Sequence, residues 1–240
     1  MASEIGYVRV QRFDEQAQRL YQDPTVQSIA RLVAGSPVQF GADLAEILSS
    51  HRHPLQEGQA VSLQTHYRRL VGSRWGPDHD EFLKHVTRFY LEATVDDWAR
   101  RKGVLAELIV FALLRPRYLG AGEWAQENVY VGPVVDGNVE TFNETDLDAA
   151  GWSTPKQAGE FYSVKFMIGG YFDGDLLGKL ERLHSLLAEG EKQIIVGLWS
   201  ITQTGTQVNQ FLRFPKALQC PPNVHLLGYS DLENLLQGTT

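Results

Sequence analysis

The stretch VETFNETDLDAA, at residues 139–150, decides the fold and the chemistry that this sequence predicts. Its pattern is typical of a β-strand, in which successive side chains point to opposite faces. Glu144, Asp146 and Asp148 would then project from one face. Three carboxylates on one face repel one another, and a divalent cation would relieve that repulsion. We therefore predict a metal site on this strand.

A second strand-like stretch, FYSVKFM at residues 161–167, follows after a connection that contains Gly and Pro. Ser163 and Lys165 would share one face of this strand, with Val164 pointing into the core. If the two strands pair as a hairpin, the register places Asp148 opposite Ser163 and brings Lys165 near the carboxylates. Phosphodiester hydrolysis uses such groups, because carboxylates hold magnesium and a lysine can orient the attacking water.

The rest of the second half of the sequence predicts a mixed α/β core. A long helix is expected to begin at Thr94 and to stop before Pro116. Further strands are predicted at residues 129–135, 194–201 and 224–227, and further helices at 175–187 and 231–236. Ser230 would cap the last of these helices.

The first 92 residues predict short helices and, in our interpretation, no strand. Helical stretches are expected at about 13–21, 26–33, 63–71 and 81–90, with Asp23 and Pro24 as a cap-like start to the second. The predicted organisation is a helical N-terminal region at 1–92 followed by a core domain at 93–240.

Composition and charge limit the possible functions. The longest apolar run, residues 108–114, is far shorter than the ~20 residues that a membrane helix needs, and no secretory signal is evident, so we expect a cytoplasmic protein with no membrane partner. The net charge of −7 has the wrong sign for binding nucleic acid through bulk electrostatics. Any DNA contact would be local, at basic clusters such as Arg100, Arg101 and Lys102. The single cysteine, Cys220, excludes an intrachain disulfide.

These motifs together resemble the PD-(D/E)XK nuclease superfamily, over roughly residues 94–236. The run KGVLAE at residues 102–107 is similar to the K-G-x-x-A-E pattern of the family's first core helix, whose Glu, here Glu107, reaches the metal. Asp146 or Asp148 matches the family's strand aspartate. The resemblance implies a restriction endonuclease-like core, in which helices flank a mixed sheet, with a helical N-terminal extension.

The sequence departs from the family at one position. Lys165 matches the family lysine, but Ser163 stands where the second acidic residue is expected. In a subset of restriction enzymes a serine occurs here, and a Glu from the following helix takes over the acidic role. The corresponding part of this sequence offers Asp173, Asp175 and Glu181. Glu160 would lie on the opposite face of the strand, which makes it a poor replacement.

The resemblance implies a magnesium-dependent endonuclease, with manganese as a substitute, that hydrolyses double-stranded DNA. Asp148, Asp146 and Glu107 would hold the metal, Lys165 would position the attacking water, and Ser163 would line the site. A homodimer is expected if both strands are cut, because a two-fold protein matches the symmetry of the duplex. Restriction of foreign DNA or phage defence would be the biological setting.

Two other interpretations stay open. Ser163 is consistent with a degenerate nuclease fold that binds nucleic acid or a partner protein without cutting. The Asp-x-Asp motif also occurs in metal-dependent glycosyltransferases, although no βαβ nucleotide-sugar domain is predicted before it.

Overall fold

A computed structural model places residues 4–10, 15–169, 174–213 and 218–232 of the chain. The protein has an α/β fold, in which helices pack on both faces of a mixed, seven-stranded sheet. This architecture confirms the fold class that the sequence predicts. Within the described ranges, no helix is long and apolar enough to cross a membrane.

The sheet combines an antiparallel half with a parallel half. Its strands are β1 (Ile5–Arg9), β2 (Glu123–Val135), β3 (Asn138–Val139), β4 (Leu147–Ser153), β5 (Ala158–Lys165), β6 (Gln193–Ser200) and β7 (Val224–Gly228). They lie in the order β1-β2-β4-β5-β6-β7, and β3 pairs with β2 at one end. The pairs from β1 to β5 are antiparallel, whereas β5, β6 and β7 are parallel. The carboxyl ends of β5, β6 and β7 therefore meet at one edge of the sheet.

Eight α-helices occur in the described residues: α1 (Glu15–Tyr21), α2 (Pro24–Gly35), α3 (Pro37–Ser50), α4 (Glu57–Val71), α5 (Pro77–Leu91), α6 (Trp98–Leu114), α7 (Asp175–Leu187) and α8 (Gly205–Arg213). The cap-like start of α2 is confirmed, because the Asp23 carboxylate accepts hydrogen bonds from the backbone N–H groups of Thr25 and Val26. Helix α6 begins later than predicted, since Thr94 and Asp97 exchange hydrogen bonds in the turn before it.

Two hydrophobic clusters fill the two sides of the sheet. The first joins α2 to α6 with one face of β5, including Tyr162 and Val164. The second joins α7 and α8 to the other face, including Phe161. The alternation along β5 follows from the two-residue period of a strand, and it buries both faces of the sheet.

The prediction of no strand in the first 92 residues was wrong. Strand β1 pairs with the outer edge of β2, with Val8 opposite Tyr130, and Ile5 is fully buried. Five residues give little local signal, and this strand is stabilised by a partner more than a hundred positions away. The helices of the N-terminal region also share the first cluster with α6, where Val26 and Ile29 join Leu105 and Ile109.

The prediction of one strand over residues 139–150 was also wrong. After the two-residue strand β3, the backbone of Glu140 crosses so close to Gly132 that a Cβ there would lie 1.9 Å from the Glu140 carbonyl oxygen. Glu140 and Phe142 still donate hydrogen bonds to β2, but regular pairing resumes only at Leu147. Helix α8 was missed altogether, and most of the predicted last helix lies outside the described residues, after a short 3-10 turn at Tyr229–Asp231.

Candidate functional site

The ladder between β2 and β4 is irregular where β4 begins. Pairing continues on both sides but skips Asn128, which lies opposite Asp148. Asn128 has a φ of 54°, in the left-handed region that asparagine tolerates better than most residues. Leu147 and Ala149 pack into clusters on opposite sides of the sheet, although alternate residues of a regular strand share a face. The ladder is thus interrupted at the position of Asp148 without a shift in register.

The Asp148 carboxylate is the centre of the candidate site. The residue is 7% exposed. Its Oδ2 accepts a hydrogen bond of 2.7 Å from the Val164 backbone N–H and one of 3.3 Å from the Ser163 hydroxyl. Lys165 Nζ lies 3.9 Å from the same oxygen. These contacts confirm the predicted hairpin register, which placed Asp148 opposite Ser163 and Lys165 close by.

Lys165 connects this buried carboxylate to the surface. Its side chain is 43% exposed, whereas that of Asp148 is 9% exposed. An ammonium group in this position compensates the buried negative charge from one side and faces solvent from the other. An anionic group that approached from solvent would therefore meet Lys165 first.

The three acids predicted to share one strand face do not do so. Glu144 and Asp146 lie before β4, in the segment that leads into it, and both are exposed. Glu144 forms an ion pair with Arg182 of α7. Asp148 is therefore the acid of this motif that the fold places beside Lys165.

Glu107 lies half-buried in the middle of α6, on the side of the sheet that carries the first cluster. Among the residues that the structure describes, no three His, Cys, Asp or Glu side chains are grouped closely enough to hold a metal ion. The structure thus does not assemble Glu107, Asp146 and Asp148 into one ligand set. The Asp148 carboxylate and the Ser163 hydroxyl are oxygen donors of the kind that magnesium prefers, so they fit this ion in type but supply only one negative charge.

The candidates for a replacement acid have different positions. Asp173 lies outside the described residues. Asp175 forms an ion pair of 3.0 Å with Lys179 within α7. Glu160 is buried away from the site, where it accepts hydrogen bonds from Arg117, Tyr118 and Tyr162.

A polar cluster at the carboxyl ends of β5 and β6 was missed in the sequence. The Thr202 hydroxyl donates to the Phe166 carbonyl at 3.0 Å, and Gln203 Oε1 accepts from the Ile168 N–H at 2.8 Å and from the Ser200 hydroxyl at 2.9 Å. These bonds hold the segment that follows Lys165. The available signal was the set of polar residues Ser200, Thr202 and Gln203 at the end of an apolar strand.

The residues of the basic cluster predicted at Arg100, Arg101 and Lys102 have different environments in the structure. Arg101 is buried and forms ion pairs with Asp23 and Glu92, so its role is structural. Lys102 instead lies over the aromatic ring of Phe166, the residue that follows Lys165.

Comparisons with known proteins add little to this geometry. No family model and no curated protein matches the sequence. The crystal structure of protein VC1899 from Vibrio cholerae is similar, with a TM-score of 0.43 and 17% sequence identity. The match covers 97% of this chain and 57% of that one, so this chain spans little more than half the length of that protein. A likeness at this level carries no functional argument.

Proposed function

We propose that the protein is a metal-dependent phosphodiesterase that cuts double-stranded DNA at a site formed by Asp148, Ser163 and Lys165. The observation that carries this proposal is the buried Asp148 carboxylate, 3.9 Å from Lys165 across the β4–β5 hairpin. A carboxylate and a lysine on adjacent strands are also the elements on which the sequence resembles the PD-(D/E)XK superfamily. The resemblance allows either Asp146 or Asp148 beside Lys165, and the contacts favour Asp148.

Each residue of the site has a distinct role in this proposal. Asp148 holds the metal, Ser163 lines the site beside it, and Lys165 orients the attacking water or the phosphate that it attacks. Magnesium bound there would polarise the phosphate and lower the pKa of a water molecule. Glu107 of α6 is the proposed second acid, on the basis of the K-G-x-x-A-E resemblance, and manganese is the proposed substitute metal. The proposal extends to a two-fold homodimer in the cytoplasm, acting in restriction or phage defence.

A second candidate function is nucleic-acid binding without cleavage. Two observations favour it: Ser163 replaces an acid, and the described residues contain no group of three metal-binding side chains. The glycosyltransferase interpretation is less well supported, because Asp146 is exposed before β4 whereas Asp148 is buried within it. Two acids in such different environments are poorly arranged to share one ion.

Cleavage of supercoiled plasmid with magnesium tests the proposal. We expect the wild-type protein to cut and Asp148→Asn to cut at least about 100-fold more slowly, because several kcal/mol of metal-dependent stabilisation would be lost. Asp146→Asn is the matched control, two residues away and exposed, and it should keep most of the activity. Calorimetric titration with magnesium gives an independent readout. Asp148→Asn should bind magnesium more weakly than the wild type, whereas Asp146→Asn should bind it with the wild-type affinity.

Persistence of supercoiled plasmid across magnesium and manganese concentrations would overturn the proposed enzyme. Binding of a DNA duplex under the same conditions would then support the non-cutting alternative. Equal loss of activity in Asp146→Asn and Asp148→Asn would show that the two acids act together, contrary to their separation in the fold.

A further inference from the structure

Lys102 carries an ammonium group in an unusual environment. The residue is half-buried in the first turns of α6. Its Nζ lies 4.4 Å from the centre of the Phe166 ring and 5.1 Å from that of Trp98. Aromatic faces attract cations through their quadrupole, so the two rings fix the position of the charge.

No carboxylate of the described residues compensates this charge. Lys102 forms none of the ion pairs seen there, and burial alone lowers the pKa of its ammonium group. Arg101, its neighbour in the chain, is also largely buried but pairs with both Asp23 and Glu92. Desolvation of a half-buried cation without an acidic partner is unfavourable in free energy, and the binding of an anion would offset this unfavourable term.

Phe166 connects Lys102 of α6 to the end of β5. This residue directly follows Lys165, and its carbonyl accepts hydrogen bonds from the hydroxyl and the backbone N–H of Thr202. The Phe166 ring packs against the first cluster, under α6. Lys102 and Lys165 thus lie near the end of β5 on two different elements, a helix and the strand itself. They lie on opposite faces of the strand, because Val164 and Phe166, on either side of Lys165, both face the first cluster.

We infer that Lys102 binds a backbone phosphate of the DNA, at a position other than the phosphate that is cut. The inference rests on the proposed function and adds to it a second phosphate-binding position. Lysine binds phosphate as a point charge, which suits a group held by two rings and not by a directed hydrogen bond. Lys102 is a DNA-binding residue in this inference, because it would hold the strand near the end of β5 and leave the chemistry to Asp148 and Lys165.

The test is the salt dependence of duplex binding, measured by fluorescence anisotropy in calcium so that binding is observed without magnesium-supported cutting. Each lysine–phosphate contact adds about one unit to the slope of log affinity against log salt. For Lys102→Met we expect about tenfold weaker binding at moderate salt and a slope smaller by about one unit. Lys102→Arg should retain the wild-type slope.

Lys156→Met is the matched control, because it removes the same charge beyond the opposite end of β5, where Lys156 pairs with Glu123. It should leave both affinity and slope unchanged, and thermal unfolding should show that both Met variants fold. Wild-type affinity and slope in Lys102→Met would overturn the inference while leaving the proposed function intact. A wild-type chain that neither binds nor cuts the duplex would overturn the proposed function and this inference with it.

Discussion

The side chains of Asp148 and Ser163 determine the negative charge of the candidate site. The Ser163 hydroxyl is buried and lies 3.3 Å from the Asp148 carboxylate, so the residue at position 163 sets how many negative charges the site contains. The sequence predicted this neighbourhood correctly, because a short hairpin fixes which residues of its two strands are opposite. It did not predict the separation of Asp146 from Asp148, since the point at which β4 begins depends on contacts with distant residues.

Ser163→Asp is expected to make the free energy of unfolding depend on magnesium. A second buried carboxylate beside Asp148 should lower the free energy of unfolding by roughly 1–3 kcal/mol without metal, because like charges in a buried site repel. Magnesium should restore much of this loss. Thermal unfolding with and without magnesium checks the prediction, and equal magnesium-induced shifts in Ser163→Asp and the wild type would contradict it.

Glu160 forms a second buried carboxylate, with a structural role. It accepts hydrogen bonds of 2.7 Å from Arg117, 2.8 Å from Tyr118 and 2.7 Å from Tyr162. Burial raises the pKa of both tyrosine hydroxyls, and the negative charge of Glu160 raises it further, so both remain donors. Arg117 is the cation that compensates this carboxylate.

Arg117→Met should therefore destabilise the protein by about 3 kcal/mol, because it leaves a buried carboxylate without its cation. Denaturant unfolding measures the change. The matched control is Arg182→Met, which breaks the ion pair with exposed Glu144 and should change the midpoint little. Equal changes in the unfolding midpoint for the two substitutions would show that the Arg117–Glu160 pair stabilises the protein no more than a surface ion pair.

Helices α3 and α4 meet at a pair of histidines. His51 follows the end of α3, and its ring centre lies 5.2 Å from that of His66 in α4. Burial lowers the pKa of His51, the charge of His66 lowers it further, and a hydrogen bond with the Ile47 carbonyl opposes these effects. The folded protein therefore favours the neutral form of His51.

The sign of the pH effect follows from this shift. A group whose pKa is lower in the folded state stabilises the fold fully above its unfolded value of about 6.5, and the contribution is lost as pH falls through the folded value. Stability should decrease below pH ~6.5, and His51→Asn should lessen the decrease. Denaturant midpoints against pH measure this, and parallel curves for the variant and the wild type would contradict it.

Local sequence patterns predicted some elements well and others poorly. Helix α7 begins and ends as predicted, because Leu177, Leu180 and Leu183 recur at helical spacing. Helix α8 buries only Val208 and Leu212, which is too weak a pattern to recognise in a polar stretch. The segment between β3 and β4 contains no Gly or Pro that would indicate an interruption of the strand. Its alternating residues therefore predicted one continuous strand.

At the scale of the whole molecule, the hydrophobic clusters determine how the N-terminal region relates to the core. Helices α2 and α5 share the first cluster with α6, and β1 covers an edge of the sheet. Residues 93–240 alone would expose the apolar faces that these elements bury. An exposed patch of this kind promotes aggregation, as does an uncovered sheet edge.

We therefore expect a truncated chain of residues 93–240 not to unfold cooperatively, whereas the full chain should. Circular dichroism with denaturant checks this prediction, with tryptophan fluorescence as a second probe because both chains contain Trp152 in the sheet. Cooperative unfolding of the truncated chain would instead show that the core is stable by itself.

We propose that Lys165 and Asp148 form a phosphodiesterase site. The most direct test compares the rates of magnesium-dependent plasmid cleavage by the wild type and by Lys165→Met. Loss of a group that orients the nucleophile should slow cleavage by about 100-fold or more, while the unfolding midpoint shows that the variant is folded. A folded Lys165→Met that cuts at the wild-type rate, or a wild type that leaves the plasmid supercoiled, would contradict the claim.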